Sequence, residues 1–264
     1  MIKFNGEEIN LKYFPDHTFA FGEIDTSGLH YTLNQIHWYF ESNEELVALM
    51  FLAKHIRNID CLARLELILP YIPNARMDRV ESNSEIFTLK YFAEIINSLH
   101  FDTVKVLDPH SRVSTALIDR VEVMPINNYV HLAISFSSPT TLFYPDEGAM
   151  KRYVSLSHLP YTFGIKMRDW STGKIKSLEV AGDTNHIVNN RILIIDDICS
   201  KGGTFIRAAE KLRELGATDV QLYVTHCEDN IHNGEILKTD LISKVYTTNS
   251  ILTKKHEKIE VFEL

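Results

Sequence analysis

Two adjacent carboxylates, Asp196 and Asp197, end the apolar run ILIIDD, and a small polar turn follows them. Neighbouring like charges are unfavourable unless cations or hydroxyl donors face them. The turn at 200–204, SKGGT, brings hydroxyls and backbone amides to the start of a predicted helix, where a phosphate binds well. The segment thus offers carboxylates for sugar hydroxyls or a metal and amides for a phosphate, a combination that suits a sugar phosphate.

Apolar runs that predict β-strands alternate with helical patterns along the chain. Because strands joined by helices form parallel sheets covered on both faces, we expect ligands at the carboxyl ends of the strands. An aspartate follows three of the runs, in VLDPHS, FYPDEG and IIDDICS. The predicted strands are 65–69, 104–108, 141–146, 191–197 and 220–227.

Helical patterns occupy the segments between these strands. Ser42 and Glu45 form a capping box ahead of apolar residues that share one helical face. A second helix is predicted over 86–96, with Ile86 on its apolar face, and a third from Thr204 to the stop at Gly216.

The composition excludes several classes of protein. A formal net charge of −8 over 264 residues argues against a general nucleic-acid or anionic-membrane binder, so phosphate binding must be local. No apolar run approaches the roughly 18 residues that a membrane span needs. The first ten residues do not resemble a signal peptide, and Cys61, Cys199 and Cys227 are an odd set without CxxC spacing. We expect a soluble cytoplasmic protein with reduced thiols.

Five motifs, in order along the chain, resemble those of the ribose-phosphate pyrophosphokinase family, which makes phosphoribosyl pyrophosphate (PRPP). The segment around Asp196 alone resembles the ribose-phosphate motif of type I phosphoribosyltransferases, and its neighbours narrow the resemblance. The five are LPYIPNARMDRV (69–80), VLDPHS (106–111), YPDEGAMKR (144–152), IKMRD (165–169) and VAGDTNHIVNNRILIIDD (180–197).

The resemblance implies an α/β fold of two phosphoribosyltransferase-like domains, with mostly parallel sheets flanked by helices. The implied domains are 1–130, with nucleotide-binding elements, and 131–264, with the ribose-phosphate site and a catalytic flap. In this arrangement the last strand of the chain can pack against the first domain.

The resemblance also implies roles for individual residues. Lys166, Arg168 and His110 would be catalytic, and Lys166 and Arg168 would close over the transferred group. The alternative interpretation of Lys166 and Arg168 is that they are solvated loop charges. The alternative for His110 is a histidine that caps the end of the strand. His110 and Asp146 would lie near Mg²⁺, the implied cofactor. The ribose phosphate would be bound by Asp196, Asp197, Ser200, Lys201, Gly202, Gly203 and Thr204, and ATP by Phe19, Glu23, Arg76, Asp78, Arg79 and His110.

The segment FAFGE (19–23) resembles a family loop that reaches the ATP of a neighbouring subunit. It implies a homodimer or a higher homo-oligomer. Phe19 is equally well interpreted as a core aromatic residue. Arg79, from the 69–80 motif, is equally well interpreted as part of a surface ion-pair cluster.

Two departures from the family bear on the substrate. Phe21 stands where the family has an aspartate, and Lys201 adds a cation to a loop that usually reads Asp-Thr-x-Gly-Thr. The extra cation suits a substrate with more phosphate than ribose 5-phosphate. The early strand and helix and the terminal helix of the family are also missing or replaced, so its allosteric control and hexamer are not carried over.

The leading interpretation is Mg²⁺-dependent diphosphoryl transfer from ATP to ribose 5-phosphate, giving PRPP and AMP and feeding NAD salvage. The nearest alternative keeps the reaction with ADP-ribose as acceptor. A phosphoribosyltransferase that consumes PRPP would not need His110 or the 76–79 elements. A catalytically silent regulatory homologue would not need Lys166, Arg168, His110 and the aspartate pair together.

Overall fold

The structure is a computed structural model that describes residues 1–29, 33–168 and 175–264, with side chains for all of these except 166–168 and 175–177. It divides into two compact units, Met1–Pro125 and Ile126–Leu264. The boundary predicted from the sequence, between residues 130 and 131, lies slightly later than the observed one and falls inside the first helix of the second unit.

The first unit contains a six-stranded sheet in the order β2-β1-β5-β6-β7-β8 and a separate hairpin of β3 and β4. The pairs from β5 to β8 are parallel, and β1 joins antiparallel to both β2 and β5. The strands are β1 (Ile2–Phe4), β2 (Glu7–Glu8), β3 (Leu11–Tyr13), β4 (Phe19–Phe21), β5 (Asn34–Trp38), β6 (Leu65–Leu69), β7 (Thr103–Leu107) and β8 (Val121–Met124), and the helices are α1 (Glu44–Ile59), α2 (Thr88–Ser98) and α3 (Arg112–Leu117).

The helices of the first unit pack on one face of its sheet, which differs from the expected cover on both faces. Right-handed crossovers between strands that follow one another in order place successive helices on the same side. Their apolar residues join one cluster with Ile36, Leu67 and Val106. On the opposite face Glu66 accepts a hydrogen bond from Gln35 at 2.8 Å and pairs with Lys105 at 2.9 Å.

Two details of the predicted helix starts are corrected by the structure. Helix α1 begins after Asn43, so Ser42 is not its cap residue, although Glu45 accepts the backbone N–H of Ser42 at 3.5 Å. Ile86 lies before α2 and is 66% exposed, so it does not belong to the buried face of that helix. Burial instead begins at Leu89.

The second unit contains a seven-stranded sheet in the order β11-β10-β9-β12-β13-β14-β15. Its pairs are parallel except for β10 with β11. The strands are β9 (Thr141–Tyr144), β10 (Tyr161–Arg168), β11 (Ile175–Ala181), β12 (Arg191–Cys199), β13 (Asp219–Cys227), β14 (Val245–Thr248) and β15 (Ile259–Phe262), and the helices are α4 (Asn127–Ser137), α5 (Glu147–Tyr153) and α6 (Gly203–Glu214).

Helices cover both faces of the second sheet, as expected. Helix α6 packs with Ile192 and Ile194 of β12 in one cluster, whereas α4 and α5 pack with Leu193 and Ile195 in another. The last strand, β15, pairs with β14 inside this unit and so extends the second sheet.

The cysteines are all reduced, and their surroundings differ. Cys199 and Cys227 are register partners on β12 and β13 and are fully buried, whereas Cys61 is exposed. A hydrogen bond with Cys199 and burial raise the pKa of the Cys227 thiol well above its usual range. Within the described residues, no helix has both the length and the apolar character that a membrane crossing requires.

Candidate active site

Strand β12 carries Asp196 and Asp197 at its carboxyl end, between β9 and β13. The two carboxylates are neighbours, and contact with Asp197 contributes to the raised pKa of Asp196. The pair therefore lies together at the carboxyl end of a central parallel strand. This is the edge at which parallel sheets bind ligands.

Asp197 is the more enclosed of the two and has a cationic partner. Its side chain is only 7% exposed, and its Oδ2 lies 3.2 Å from Nη1 of Arg152, the residue just before the end of α5. The guanidinium lies over the ring of Tyr153, 5.6 Å from the centroid, and donates to the Tyr153 hydroxyl at 3.4 Å. Arg152 ends the motif at 144–152, but no role was predicted for it from the sequence.

Asp196 faces two other carboxylates. Its Oδ1 accepts the backbone N–H of Asp197 at 3.0 Å. Burial, followed by the charges of Asp197 and Asp146, raises the pKa of Asp196 well above its ordinary value of 3.8. The free protein therefore holds a proton at this position more tightly than an exposed aspartate does.

Asp146 joins this cluster from the turn between β9 and α5. Its Oδ1 accepts the backbone N–H of Ala149 at 3.0 Å, so the side chain caps α5. Helix α5 thus carries Asp146 at its start and Arg152 near its end. Both ends of one short helix supply charged groups to the region of the aspartate pair.

The loop at 200–204 connects β12 to α6. Gly202 is its left-handed residue, with φ +80, and an added Cβ there would come within 2.9 Å of Ile236. Gly203 opens the helix, and a Cβ at Gly203 would meet nothing within 4 Å. The start of α6 therefore faces open space, with the N–H groups that a helix leaves unbonded in its first turn.

A second segment holds this loop from behind. A Cβ at Gly234 would lie 2.1 Å from the carbonyl oxygen of Lys201, so only glycine permits this approach of the two backbones. Asn230 donates to the hydroxyl of Ser200 at 3.2 Å. The loop is therefore fixed on its inner side, whereas Lys201, Gly203 and Thr204 are exposed.

Strand β10, whose later residues are Lys166 and Arg168, passes the turn that holds Asp146. It runs parallel to β9, with Phe163 in register with Tyr144. A Cβ at Gly164 would lie 2.6 Å from the carbonyl oxygen of Pro145, so the strand passes directly against the turn that holds Asp146. The side chains of Lys166 and Arg168 lie outside the described residues.

In the first unit, His110 and the 76–79 segment follow neighbouring strands. The N–H of Leu107, at the end of β7, donates to the carbonyl of Pro70, just past β6, at 3.0 Å. Asp108 follows with a left-handed φ of +39, an unfavourable conformation of the kind that clusters at functional sites. His110 is half-buried ahead of α3.

The three predicted nucleotide contacts at 76–79 lie beyond the end of β6. A turn at Asn74, with φ +62, precedes them. Arg76 and Arg79 are exposed and Asp78 is half-buried, so both guanidinium groups are accessible to a ligand. Because β6 and β7 are adjacent parallel strands, this segment and His110 lie at the same edge of the first sheet.

Phe19 and Glu23 lie in a different part of the first unit. Phe19 is half-buried among aromatic rings, with centroids 5.9 Å from Tyr13, 5.7 Å from Phe21 and 5.9 Å from Phe51, whereas Glu23 is exposed. A cavity of about 410 Å³ opens beside this group. No sequence pattern indicated it; its lining residues are Phe21, Gly22, Ile24, Thr26, Phe51, Leu52 and His55.

The donors near β12 suit a hard cation held partly by substrate. Asp146 and Asp196 are oxygen donors, and Asp146 is close enough for its charge to raise the pKa of Asp196. Across 1–29, 33–168 and 175–264, no three His, Cys, Asp or Glu side chains are grouped to hold a metal. Mg²⁺ is commonly bound by one or two carboxylates together with substrate phosphates, so this limited set fits that ion.

Comparison with known proteins identifies the class of fold. Residues 155–254 match the family model described as phosphoribosyl transferase domain. The solved structure of phosphoribosylpyrophosphate synthetase from Mycobacterium smegmatis superimposes with a TM-score of 0.77 and 19% identity, covering 97% of this chain and 86% of that one. The protein therefore has an α/β fold of two phosphoribosyltransferase-like units.

Curated relatives carry the name expected from the motifs. The chain is 27% identical over 193 residues to ribose-phosphate pyrophosphokinase of Saccharolobus solfataricus, covering 71% of this chain. It is 25% identical over 218 residues to ribose-phosphate pyrophosphokinase 4 of Saccharomyces cerevisiae, covering 80% of this chain. In both cases the match spans 65% of the relative's length. The resemblance to ribose-phosphate pyrophosphokinases is thereby confirmed.

Proposed function

We propose that this protein transfers the diphosphoryl group of ATP to the anomeric hydroxyl of ribose 5-phosphate, giving PRPP and AMP. The observation that supports this most directly is the continuity of β12, the loop at 200–204 and α6. That single segment presents two carboxylates and then an exposed helix start. Ribose 5-phosphate carries a diol and a phosphate in matching order.

In this proposal Asp196 and Asp197 accept hydrogen bonds from the ribose hydroxyls. Ser200, Lys201, Gly202, Gly203 and Thr204 surround the 5′-phosphate through backbone amides, hydroxyls and the positive end of the α6 dipole. Binding at both ends of the sugar fixes the anomeric oxygen for attack, and such fixation accounts for a large part of the rate enhancement in phosphoryl transfer.

The nucleotide elements would act on ATP. Arg76, Asp78 and Arg79 contact the nucleotide. Phe19 packs on the base, Glu23 contacts the nucleoside, and His110 lies at the phosphates. The anomeric oxygen attacks the β-phosphorus, the bond from that phosphorus to the oxygen of the α-phosphate breaks, and AMP leaves. Lys166 and Arg168 then stabilise the charge that develops on the transferred group.

Mg²⁺ is the cofactor of this proposal: in the second unit Asp146 would hold it, and in the first unit His110 would act at the ATP phosphates that bind it. When bound, it supplies charge neutralisation on the phosphates. Asp146 also caps α5, so its carboxylate orientation is already fixed by the N–H of Ala149. Chelation of Mg²⁺ is expected to abolish turnover.

The test of this proposal is AMP release from ATP and Mg²⁺ with ribose 5-phosphate and ADP-ribose supplied separately at matched concentrations. Turnover with ribose 5-phosphate supports PRPP synthesis. Absence of transfer to any ribosyl acceptor contradicts the proposal and favours the silent regulatory homologue.

ADP-ribose remains a second candidate acceptor because of the exposed side of the loop. Lys201 is exposed and a Cβ at Gly203 would meet open space, which leaves room for a diphosphate-linked nucleoside in place of a terminal phosphate. Turnover with ADP-ribose alone, reduced by Lys201→Ala, would assign the protein to that reaction. Either product is a ribosyl diphosphate that a nicotinamide-transferring enzyme consumes, consistent with a role in cytoplasmic NAD salvage.

Lys166→Ala tests the catalytic assignment. Removal of a group that stabilises developing charge is expected to lower kcat by about 100-fold or more. The matched control is Lys211→Ala, which removes an exposed cation that pairs with Glu214 on α6. Unchanged turnover in Lys166→Ala would contradict the role assigned to Lys166.

The oligomeric state belongs to the same proposal. If Phe19 and Glu23 contact the ATP of a neighbouring subunit, the active form is a homodimer or a higher homo-oligomer. Sedimentation measures this directly, and full activity at concentrations where the protein is monomeric would contradict it.

A further inference from the structure

The ion pair between α5 and β12 is not explained by folding alone. Asp197 is almost fully enclosed, with 7% of its side chain exposed, and it adjoins a second carboxylate. An enclosed carboxylate is unfavourable unless it is paired and hydrogen-bonded. Arg152 supplies that pairing from a side chain that is itself 33% exposed.

The guanidinium of Arg152 is oriented by contacts other than the aspartate. It lies over the ring of Tyr153, which is 1% exposed, and donates to the Tyr153 hydroxyl. A side chain fixed in this way has less conformational freedom left to lose on contacting Asp197. The arrangement presents a preformed cation to one carboxylate of the pair.

We propose that Arg152 is a positioning residue for the sugar: it fixes and neutralises Asp197, so that both aspartates face the ribose hydroxyls together. This inference rests on the proposed function. Without the cation, the charges of Asp146, Asp196 and Asp197 repel one another across the place where the sugar would bind.

A positioning role for Arg152 predicts that its substitution affects KM for the two substrates differently. Arg152→Gln is expected to raise KM for ribose 5-phosphate by about 10- to 100-fold, because a charged hydrogen-bonding partner of the binding carboxylate is lost. KM for ATP is expected to change by less than about threefold. Arg152→Lys restores the cation without the planar fork and is expected to recover part of the loss.

The neighbouring residue provides the matched control. Lys151 precedes Arg152 on the same helix but pairs with Glu147 on the surface, with both side chains more than half exposed. Lys151→Gln therefore removes the same charge from α5 without touching Asp197, and all kinetic constants are expected to stay unchanged.

A double-mutant cycle distinguishes action through Asp197 from a general structural role. In an Asp197→Asn background, Arg152→Gln is expected to add less than about twofold to KM for ribose 5-phosphate, because the coupled partner is already altered. Additive losses, or equal increases in KM for both substrates, would overturn the proposal. The thermal unfolding of each variant is measured to verify that the protein is folded at the assay temperature.

Failure of the proposed function is separable from failure of this inference. If the wild-type protein turns over and Arg152→Gln keeps its KM, only the role of Arg152 is overturned. If the wild type shows no turnover, calorimetric binding of ribose 5-phosphate decides the matter. Binding that Arg152→Gln weakens supports the role, equal binding overturns it, and no binding to wild type overturns both proposals.

Discussion

Asp196 is a residue whose surroundings oppose its own charge. Burial and neighbouring carboxylates raise its pKa, so the folded protein holds the proton more tightly than the unfolded chain does. The unfolding free energy therefore falls as pH rises from about 3.8 through the raised pKa. A protein tolerates such a group where function requires it.

Asp196→Asn is accordingly expected to stabilise the ligand-free protein at neutral pH while removing sugar binding. The expected rise in Tm is about 2–4 °C. The gain should shrink towards pH 4, because the folded wild type then holds a proton on Asp196 and no longer carries an unfavourable buried charge. Scanning calorimetry between pH 4 and pH 8 checks this, and a lower Tm at neutral pH would contradict it.

Asp197→Asn is the contrasting variant. Asp197 is the partner of Arg152, so loss of its charge is expected to lower Tm under the same conditions. Opposite signs at two adjacent aspartates would distinguish the surroundings of the two carboxylates. Equal shifts would mean that the pair behaves as one charge cluster.

At this scale the sequence identified the aspartates but not their environment. Two adjacent carboxylates after an apolar run indicate a ligand site by their chemistry alone. Strand β12 continues to Cys199, beyond the predicted end at 197, so both aspartates lie within the strand and not in the turn after it. The contact with Arg152 depends on the packing of α5 beside β12, which no local pattern contains.

The two glycines between β12 and α6 differ in whether a side chain could replace them. Gly202 has a positive φ, and a side chain there meets Ile236, whereas Gly203 is open. Gly202→Ala is expected to lower the unfolding free energy by about 1–2 kcal/mol. Gly203→Ala is expected to leave stability unchanged or slightly improved.

The effect on ligand binding should also distinguish Gly202 from Gly203. If the start of α6 holds a phosphate, the methyl group of Gly203→Ala enters the binding space and raises KM for ribose 5-phosphate. Chemical denaturation and steady-state kinetics on both variants test these expectations together. A Gly203→Ala variant with wild-type KM would place the phosphate elsewhere.

Element positions were predictable where the local pattern is strong. The five predicted strands lie within two residues of β6, β7, β9, β12 and β13, because buried parallel strands are short continuous apolar runs. The antiparallel edges, β1 with β2 and β10 with β11, were not predicted. Their residues are mixed in polarity, and pairing with distant partners determines their conformation.

For the whole molecule, the division into two units predicts where each substrate protects the backbone. Ligands stabilise the state that binds them, and hydrogen exchange reports this segment by segment. Ribose 5-phosphate alone is expected to slow exchange at 144–153 and 196–206, and ATP with Mg²⁺ at 70–80 and 108–111. Protection by ribose 5-phosphate confined to the first unit would contradict the assignment of the sugar site.

The repeated order of strand, aspartate and turn predicted two similar halves, and the structure contains two compact units. The one-sided helix arrangement of the first unit was not predictable from that repetition. It depends on the spatial order of the strands, and Asp108 and Asp196 follow similar runs in sheets that are covered differently.

The different surroundings of the cysteines make this protein suitable for spectroscopy without engineering. Thiolates react with maleimide dyes, and the two buried thiols, Cys199 and Cys227, are protected by enclosure, the latter also by its raised pKa. Cys61, exposed in the turn between α1 and β6, offers a natural attachment point for one fluorophore per chain. Labelled at that point, the protein can be tested for association between copies by energy transfer.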